Sequence, residues 1–238
     1  MTLYGVELTV CADPEEVASV VADQLVAFAR DGASIALTGG RSVGRAYELA
    51  AEREPDWSAA TLWWGDERCV PPEDERSNFR LARETLLDRL EAGPREVQRI
   101  RGELGPEEAA REYDELLGNA TPLDVVLLGI GADGHTASLF PNQPALEERE
   151  RRAIPNEAKL EPFVDRVTMT VPVLCSAPLV LFVVSGESKA DAVGHAFGEP
   201  PSPETPSSLV RSAEGRTVPT AARKVRSRLV RTRTAARR

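Results

Sequence analysis

The residue best suited to proton transfer is His135, one of only two histidines in the chain. It ends the segment G-I-G-A-D-G-H at residues 129–135, where three glycines let the backbone approach a ligand closely. An imidazole exchanges protons near neutral pH, and Asp133, two residues earlier, is placed to orient its ring. We therefore predict that His135 acts in proton transfer and that Asp133 supports it. His195 falls inside a predicted helix, and we expect it to pack or to lie on the surface.

The same three glycines satisfy the dinucleotide-binding pattern G-x-G-x-x-G. That function requires a helix that begins directly at the last glycine, within the first β-α-β unit. Here Pro141 stops any helix within two turns, and the segment lies past the middle of the chain. A dinucleotide site and a plain turn remain the alternatives, and the sequence favours a catalytic loop.

A second segment is suited to hold a negatively charged group. T-G-G-R-S at residues 38–42 joins a predicted strand to a predicted helix. Backbone N–H groups at the start of a helix suit a phosphate, so we assign Gly39, Gly40, Arg41 and Ser42 to this role. The segment is not a Walker loop, because no G-K-[ST] follows, and a plain strand-to-helix turn is the alternative.

Three more cations follow or begin predicted strands. Arg68 lies in G-D-E-R at residues 65–68, and Lys189 is one of only three lysines in the chain. Both are suited to bind a phosphate, although each taken alone is more often a solvated surface residue. Arg166, at the start of a predicted strand, is suited either to the same phosphate or to an oxyanion.

The elements that position these residues alternate between strand and helix. An almost wholly apolar run at residues 123–129 predicts a strand buried on both faces of a parallel sheet. The order predicts one α/β domain layered around a mostly parallel sheet, in which ligands bind beyond the carboxyl ends of the strands. The remaining predicted strands are residues 6–10, 34–38, 61–65, 166–171 and 179–185, and the last predicted helix is residues 187–197.

Composition limits the class of protein. The chain has 238 residues, of which 42% are apolar and 28% charged, which is typical of a soluble globular domain. Its apolar runs are far shorter than the roughly 18 residues of a membrane helix, and we expect no signal peptide. Cys11, Cys69 and Cys175 match neither a disulfide framework nor a zinc site, so we expect reduced thiols in the cytoplasm.

Charge is distributed unevenly along the chain. The net charge is −9, yet residues 211–238 contain ten basic residues and one acidic residue. The acidic remainder argues against nucleic acid as the main partner, and it requires a local cluster of positive charge for any anionic substrate. We expect a domain at residues 1–210 and an arginine-rich, partly mobile tail at residues 211–238. Nucleic-acid binding through this tail is the non-enzymatic alternative, and an altered reading frame is another explanation of its composition.

Four motifs in the expected order resemble the 6-phosphogluconolactonase family, within the glucosamine-6-phosphate isomerase-like superfamily. The most specific is LLGIGADGHTASLFP at residues 127–141; the others are WGDER at 64–68 with Ser77 and Asn78, RVTMT at 166–170 and GESK at 186–189. The related deaminases carry I-A-F-N-E-P after D-G-H and M-D-E-Y in the earlier loop. Both differences favour the lactonase, and an amino-sugar phosphate isomerase or deaminase is the alternative.

The resemblance implies a single three-layer α/β domain of a modified Rossmann-like, isomerase/deaminase type, with an atypical basic C-terminal tail. It implies hydrolysis of 6-phospho-D-glucono-1,5-lactone in the cytoplasm. The sequence contains no metal-ligand constellation, so we expect no metal and no cofactor. We expect a monomer or homodimer with no membrane and no nucleic-acid partner. With no G-x-S-x-G nucleophile segment, we expect direct attack by water. The implied catalytic residues are His135 and Asp133, and the implied substrate-binding residues are Gly39, Gly40, Arg41, Ser42, Asp66, Arg68, Arg166 and Lys189.

Overall fold

The structure is a computed structural model that describes residues 2–3, 6–40, 42–120, 122–158, 161 and 163–222. Its α-helices are α1 (Pro14–Arg30), α2 (Gly44–Arg53), α3 (Asn78–Thr85), α4 (Pro106–Gly118), α5 (Val171–Ser176) and α6 (Ala190–Gly198). Its strands are β1 (Thr2–Leu3), β2 (Val6–Glu7), β3 (Thr9–Cys11), β4 (Ser34–Leu37), β5 (Thr61–Trp64), β6 (Asp66–Arg68), β7 (Glu96–Gln98), β8 (Val125–Leu128), β9 (Ala153–Asn156), β10 (Arg166–Met169), β11 (Leu179–Val184) and β12 (Arg216–Ala222).

The main sheet has the order β1-β2-β12-β11-β8-β4-β5-β7, with β3 also paired to β12. All of its pairs are parallel except β1 with β2. Every residue of β8 is buried, as the apolar run at residues 123–129 predicts for a strand covered on both faces. The predicted α/β fold around a mostly parallel sheet is confirmed.

A smaller antiparallel sheet has the order β6-β10-β9. The strand predicted at residues 166–171 ends earlier, at Met169, and α5 begins at Val171. In this sheet Arg166 lies directly opposite Arg68, and Thr168 lies opposite Asp66. The sequence order alone does not separate these short strands from the main sheet, because their pairing is made by distant segments.

The C-terminal part of the domain differs from the expectation. Strand β12 lies inside the main sheet, between β11 on one side and the segments β2 and β3 on the other. The boundary expected after residue 210 is therefore too early, because the sheet continues to Ala222. Pro219 lies opposite Phe182 of β11 and, on the other side, opposite the break between β2 and β3. The rest of the predicted tail, residues 223–238, lies outside the described residues.

The first helix follows its sequence signals closely. Asp13 caps α1 by accepting a hydrogen bond from the Glu16 N–H at 2.9 Å, and Pro14 is the first helical residue. Its buried face includes Val17, Val21 and Leu25, which pack with the strands in one hydrophobic core. Within the described residues, no helix combines the length and the apolar character needed to cross a membrane.

Candidate active site

A cavity of about 610 Å³ opens beyond the carboxyl ends of the parallel strands β4, β8 and β11. This is the edge of the sheet at which open parallel sheets bind ligands. Of the predicted site residues, it brings together Gly39, Gly40, Ser42, Asp66, Arg68, His135, Arg166 and Lys189. Arg41 lies outside the described residues, and Asp133 lies behind His135 rather than in the cavity wall.

His135 is held in the loop that follows β8 by its contact with Asp133. The ring Nδ1 lies 2.6 Å from Asp133 Oδ1, which also accepts the backbone N–H of His135 at 3.2 Å. A carboxylate at Nδ1 favours the tautomer with the proton on that nitrogen, which leaves Nε2 to accept a proton. The two side chains remain 28% and 29% exposed, and the His135 ring packs against Phe140 with centroids 5.0 Å apart.

The glycines of this loop have specific steric roles. A Cβ at Gly131 would lie 2.0 Å from His135 Nδ1 and 2.4 Å from Asp133 Oδ1, so only glycine leaves room for this pair. Gly134 has a φ of +86°, a conformation that favours glycine. Residues 135–140 form a turn closed by Thr136 and Leu139, and the next helical turn begins only at Pro144. The loop therefore lacks the helix that a dinucleotide-binding G-x-G-x-x-G requires.

The carboxyl of Asp133 is shifted by two opposing influences. Partial burial raises its pKa, whereas the hydrogen bonds and charge of His135 lower it, and together they leave the pKa below the ordinary value. Asp133 is therefore a carboxylate at neutral pH. An ionised partner at Nδ1 stabilises the imidazolium that forms when Nε2 takes a proton.

The loop between β4 and α2 forms the second wall of the cavity. Tyr47, buried in α2, accepts the Thr38 N–H at 3.0 Å and donates its hydroxyl hydrogen to Thr38 O at 2.8 Å. Ser185, just after β11, donates to Ser42 Oγ at 2.6 Å. Gly40 has a φ of +97°. The loop is thus fixed at both ends and opens next to the first turn of α2, as expected of a phosphate site.

Strand β6 supplies the third wall. Alternation along the strand places Asp66 and Arg68 on one face, and both line the cavity. Asp66 accepts hydrogen bonds from Ser138 Oγ at 2.6 Å and from Asn78 Nδ2 at 3.2 Å. Because Ser138 lies three residues after His135, this buried contact connects β6 with the segment that carries His135.

Arg166 and Arg68 place two positive charges across from each other in the small sheet. Arg166 is 5% exposed, and its Nε donates to Val164 O at 3.1 Å. Burial, and then the charge of Arg68, lower the pKa of the Arg166 guanidinium. Like charges directly opposite each other in a sheet are unfavourable, and an anion bound between them removes that cost. Lys189, in the turn after β11, adds a third cation to the cavity.

Several cavity residues were not predicted from the sequence. Ser188 and Ser185 lie in the segment after β11 that carries Lys189, and Asn78 belongs to the WGDER motif, where it received no role. Thr38 precedes the glycine pair, and the remaining unpredicted polar residue is Glu161. Thr38 and Ser188 are each adjacent to a predicted residue, and Ser185 directly precedes the GESK motif at residues 186–189.

The other histidine behaves as the sequence indicates. His195 lies on the surface with its side chain 56% exposed, and its Nδ1 is 3.1 Å from Glu199 Oε1. It lines a second cavity of about 360 Å³ together with Asp133. Asp133 thus contacts His135 from the side of the loop that faces away from the large cavity.

Comparisons with known proteins agree with this geometry. The family model described as Glucosamine-6-phosphate isomerases/6-phosphogluconolactonase matches residues 12–219. A 6-phosphogluconolactonase of Mycobacterium leprae is 40% identical over 197 residues, which cover 77% of this chain and 80% of that protein. The solved structure of the 6-phosphogluconolactonase from Trypanosoma cruzi superposes with a TM-score of 0.84 at 25% identity, covering 96% of this chain and 98% of that one.

A monomeric glucosamine-6-phosphate deaminase shares the fold. Its structure has a TM-score of 0.83, covers 93% of this chain and 99% of its own, and is 19% identical. At that identity the likeness concerns the fold alone, so the deaminase alternative has less support than the lactonase. The chain belongs to the glucosamine-6-phosphate isomerase and 6-phosphogluconolactonase family, and the resemblance predicted from its sequence to the 6-phosphogluconolactonases is confirmed.

Proposed function

We propose that this chain hydrolyses 6-phospho-D-glucono-1,5-lactone to 6-phospho-D-gluconate, with His135 as the general base. The observation that carries the mechanism is the 2.6 Å contact between His135 Nδ1 and Asp133 Oδ1 at the edge of a cavity lined by cations. This arrangement provides a base with a fixed tautomer beside a place for a phosphorylated substrate. Direct attack by water fits this arrangement, because a general base can activate water and the reaction then needs no nucleophilic side chain.

The reaction proceeds in two proton-coupled steps. His135 Nε2 takes a proton from water as the water oxygen bonds to the lactone carbonyl carbon, which gives a tetrahedral oxyanion. The bond between that carbon and the ring oxygen then breaks, and the imidazolium returns the proton to the leaving oxygen. The new carboxylic acid loses its proton to solvent, which gives 6-phospho-D-gluconate. Asp133 stabilises the imidazolium between the two steps. General base catalysis of this kind contributes typically about 10²–10⁴-fold.

The residues around the cavity suit two parts of the substrate, the phosphate and the lactone carbonyl. Gly39, Gly40 and Ser42, with Lys189, surround the place beside the first turn of α2 that suits the phosphate. Arg41 has the same role in the proposal, as expected from the sequence. Arg68 and Arg166 face the cavity from the small sheet and serve the phosphate or the developing oxyanion. Asp66 accepts hydrogen bonds from substrate hydroxyl groups.

We also propose a reducing, cytoplasmic location, because Cys11, Cys69 and Cys175 are all unpaired thiols. In the proposal the enzyme acts as a monomer or homodimer and takes no nucleic-acid partner.

The decisive experiment is a hydrolysis assay of the purified full-length chain. We expect 6-phosphogluconate to form from the lactone faster than by spontaneous hydrolysis. Glucosamine 6-phosphate, supplied in parallel, tests for release of ammonia. Ammonia release without lactone hydrolysis would replace this proposal with the deaminase alternative, and absence of both activities would refute it.

A further inference from the structure

The buried carboxylate of Glu67 has no part in the proposed reaction, although its two neighbours in β6 line the cavity. Strand alternation directs the Glu67 side chain to the opposite face from Asp66 and Arg68. The residue is 3% exposed. A buried carboxylate is costly unless hydrogen bonds compensate for the lost water, so its partners indicate what it does.

Glu67 accepts four hydrogen bonds, three from the start of α3 and one from its neighbour Arg68 in β6. Its Oε1 accepts the N–H groups of Arg68 at 2.6 Å and Asn78 at 2.8 Å. Its Oε2 accepts Ser77 Oγ at 2.9 Å and the Phe79 N–H at 2.7 Å. The first N–H groups of a helix have no partner within the helix, and a negative charge there is favourable. Glu67 therefore holds the first turn of α3 against β6.

The pKa of the Glu67 carboxyl is set by burial and by the same four hydrogen bonds. Burial raises the pKa of the Glu67 carboxyl, and the hydrogen bonds from Asn78, Phe79, Arg68 and Ser77 act in the opposite direction. Burial is the larger influence, so the pKa stays above its ordinary value, and the four donors favour the ionised form against that effect.

The first residue of α3 touches two walls of the cavity. Asn78 Nδ2 donates to Asp66 O at 2.9 Å, in addition to its contact with the Asp66 carboxylate. Its Oδ1 lies against Gly39, where an added Cβ would be 1.8 Å away. At the other end of the connecting loop, Arg68 Nη1 donates to Arg76 O. A shift of α3 would consequently move Asn78, Asp66 and Arg68 relative to the loop after β4.

We propose that Glu67 is a positioning residue for lactone hydrolysis: by holding the first turn of α3 against β6, it keeps Arg68 and Asn78 in place to bind the substrate. The proposal rests on the proposed function. The activity of the wild type tests that function, whereas the ratio of the variant's KM to the wild-type KM tests this inference.

The charge of Glu67 allows a test in which two explanations predict opposite changes in KM. Glu67→Gln removes a negative charge from the neighbourhood of Arg68 and Arg166, so a purely electrostatic effect would strengthen binding of the phosphorylated lactone and lower KM. Loss of positioning would raise KM. The amide retains one acceptor oxygen, so two of the four donors lose their partner.

The experiment measures kcat, KM and the melting temperature for the full-length wild type and three variants. We expect Glu67→Gln to raise KM for the lactone roughly 10- to 100-fold, because displacements of about 1 Å in a site have effects of this size. Glu148→Gln is the matched control, since Glu148 also accepts three backbone N–H groups but lies outside the cavity lining. We expect the control to lower the melting temperature and to leave KM unchanged.

Ser77→Ala removes one donor to Glu67 and the cap of α3, and we expect it to raise KM about 2- to 5-fold, as the loss of a single hydrogen bond does. If Glu67→Gln does not fold, the KM of Ser77→Ala tests the proposal. An unchanged or lowered KM in the folded variants, even with a lower melting temperature, would overturn the proposal. A raised KM in Glu148→Gln as well would show a general effect of destabilisation and would also overturn it.

Discussion

Replacing Asp133 by asparagine tests whether this carboxylate acts through His135. The substitution keeps the size of the side chain and an acceptor oxygen for the His135 N–H, and it removes the charge 2.6 Å from Nδ1. A hydrogen bond to a charged group contributes about 1.5–3 kcal/mol, and a neutral one about 0.5–1.5 kcal/mol. The difference of about 1–2 kcal/mol corresponds to a fall in kcat of about 5- to 30-fold.

His135→Ala removes the base itself, and we expect kcat to fall by roughly 10²–10⁴-fold. We expect the fold to persist, because the side chain is partly exposed and lies in a loop. In the His135→Ala background, Asp133→Asn should have almost no further effect, since the group through which it acts is gone.

The assay follows formation of 6-phosphogluconate above spontaneous hydrolysis for the wild type, both single variants and the double variant. Glu199→Gln is the matched control, because Glu199 pairs with His195 on the surface at 3.1 Å. We expect it to retain wild-type kcat. A further 5- to 30-fold loss on adding Asp133→Asn to His135→Ala would refute the argument, as would near wild-type turnover by His135→Ala.

Three other outcomes follow from the described contacts. Lys189→Ala and Arg68→Ala should each raise KM for the phosphorylated lactone about 10- to 150-fold, the equivalent of one charged hydrogen bond of about 1.5–3 kcal/mol. A lactone without phosphate should be little affected, and equal losses on both substrates would contradict a role in phosphate binding. Deletion of residues 224–238 should leave kcat and melting temperature nearly unchanged, whereas a large fall in either would show that this segment packs as part of the domain. Backbone N–H groups of Glu150 and Arg151, then the Arg151 side chain, lower the pKa of Glu148 to about 2. This carboxylate thus stabilises the fold above pH 4.5 and loses that effect toward pH 2. The difference in melting temperature between wild type and Glu148→Gln should therefore shrink as the pH falls over that range. A difference that stays constant would contradict this prediction.

The conformation of the loop that carries His135 was predictable because its signals are local. Three glycines, a carboxylate and a histidine follow an apolar strand, and the structure shows the steric need for Gly131 within the same segment. The pairing of Nδ1 with Asp133 likewise joins residues two apart in sequence. Short-range geometry of this kind can be read from residue types and spacing.

Contacts between distant segments were not predictable in this way. The register that places Arg166 opposite Arg68 depends on two strands almost one hundred residues apart, and nothing in either strand specifies the partner. Asn78 belongs to a motif recognised in the sequence. Its contact with Gly39, however, arises only when α3 packs beside the loop after β4.

The last strand was missed for a different reason. Strand β12 is R-T-V-P-T-A-A, which combines an arginine, a proline and two threonines with one large apolar residue. Thr217 and Thr220 are nonetheless buried, so the pattern of apolar residues does not report the burial of this strand. Its inclusion in the sheet depends on tertiary pairing with β11.

The opposed guanidiniums of Arg68 and Arg166 also connect substrate binding with folding. With the cavity empty, the repulsion between the two guanidiniums raises the free energy of the folded state. An anion that binds between them is bound by the folded protein and not by the unfolded chain. Under the proposed binding of phosphate, linkage requires that phosphorylated ligands stabilise the protein, by about 2.7 kcal/mol at a concentration one hundred times Kd. The melting temperature should then rise with the concentration of phosphate ester, and the stability measured in phosphate-free buffer should be the lower limit.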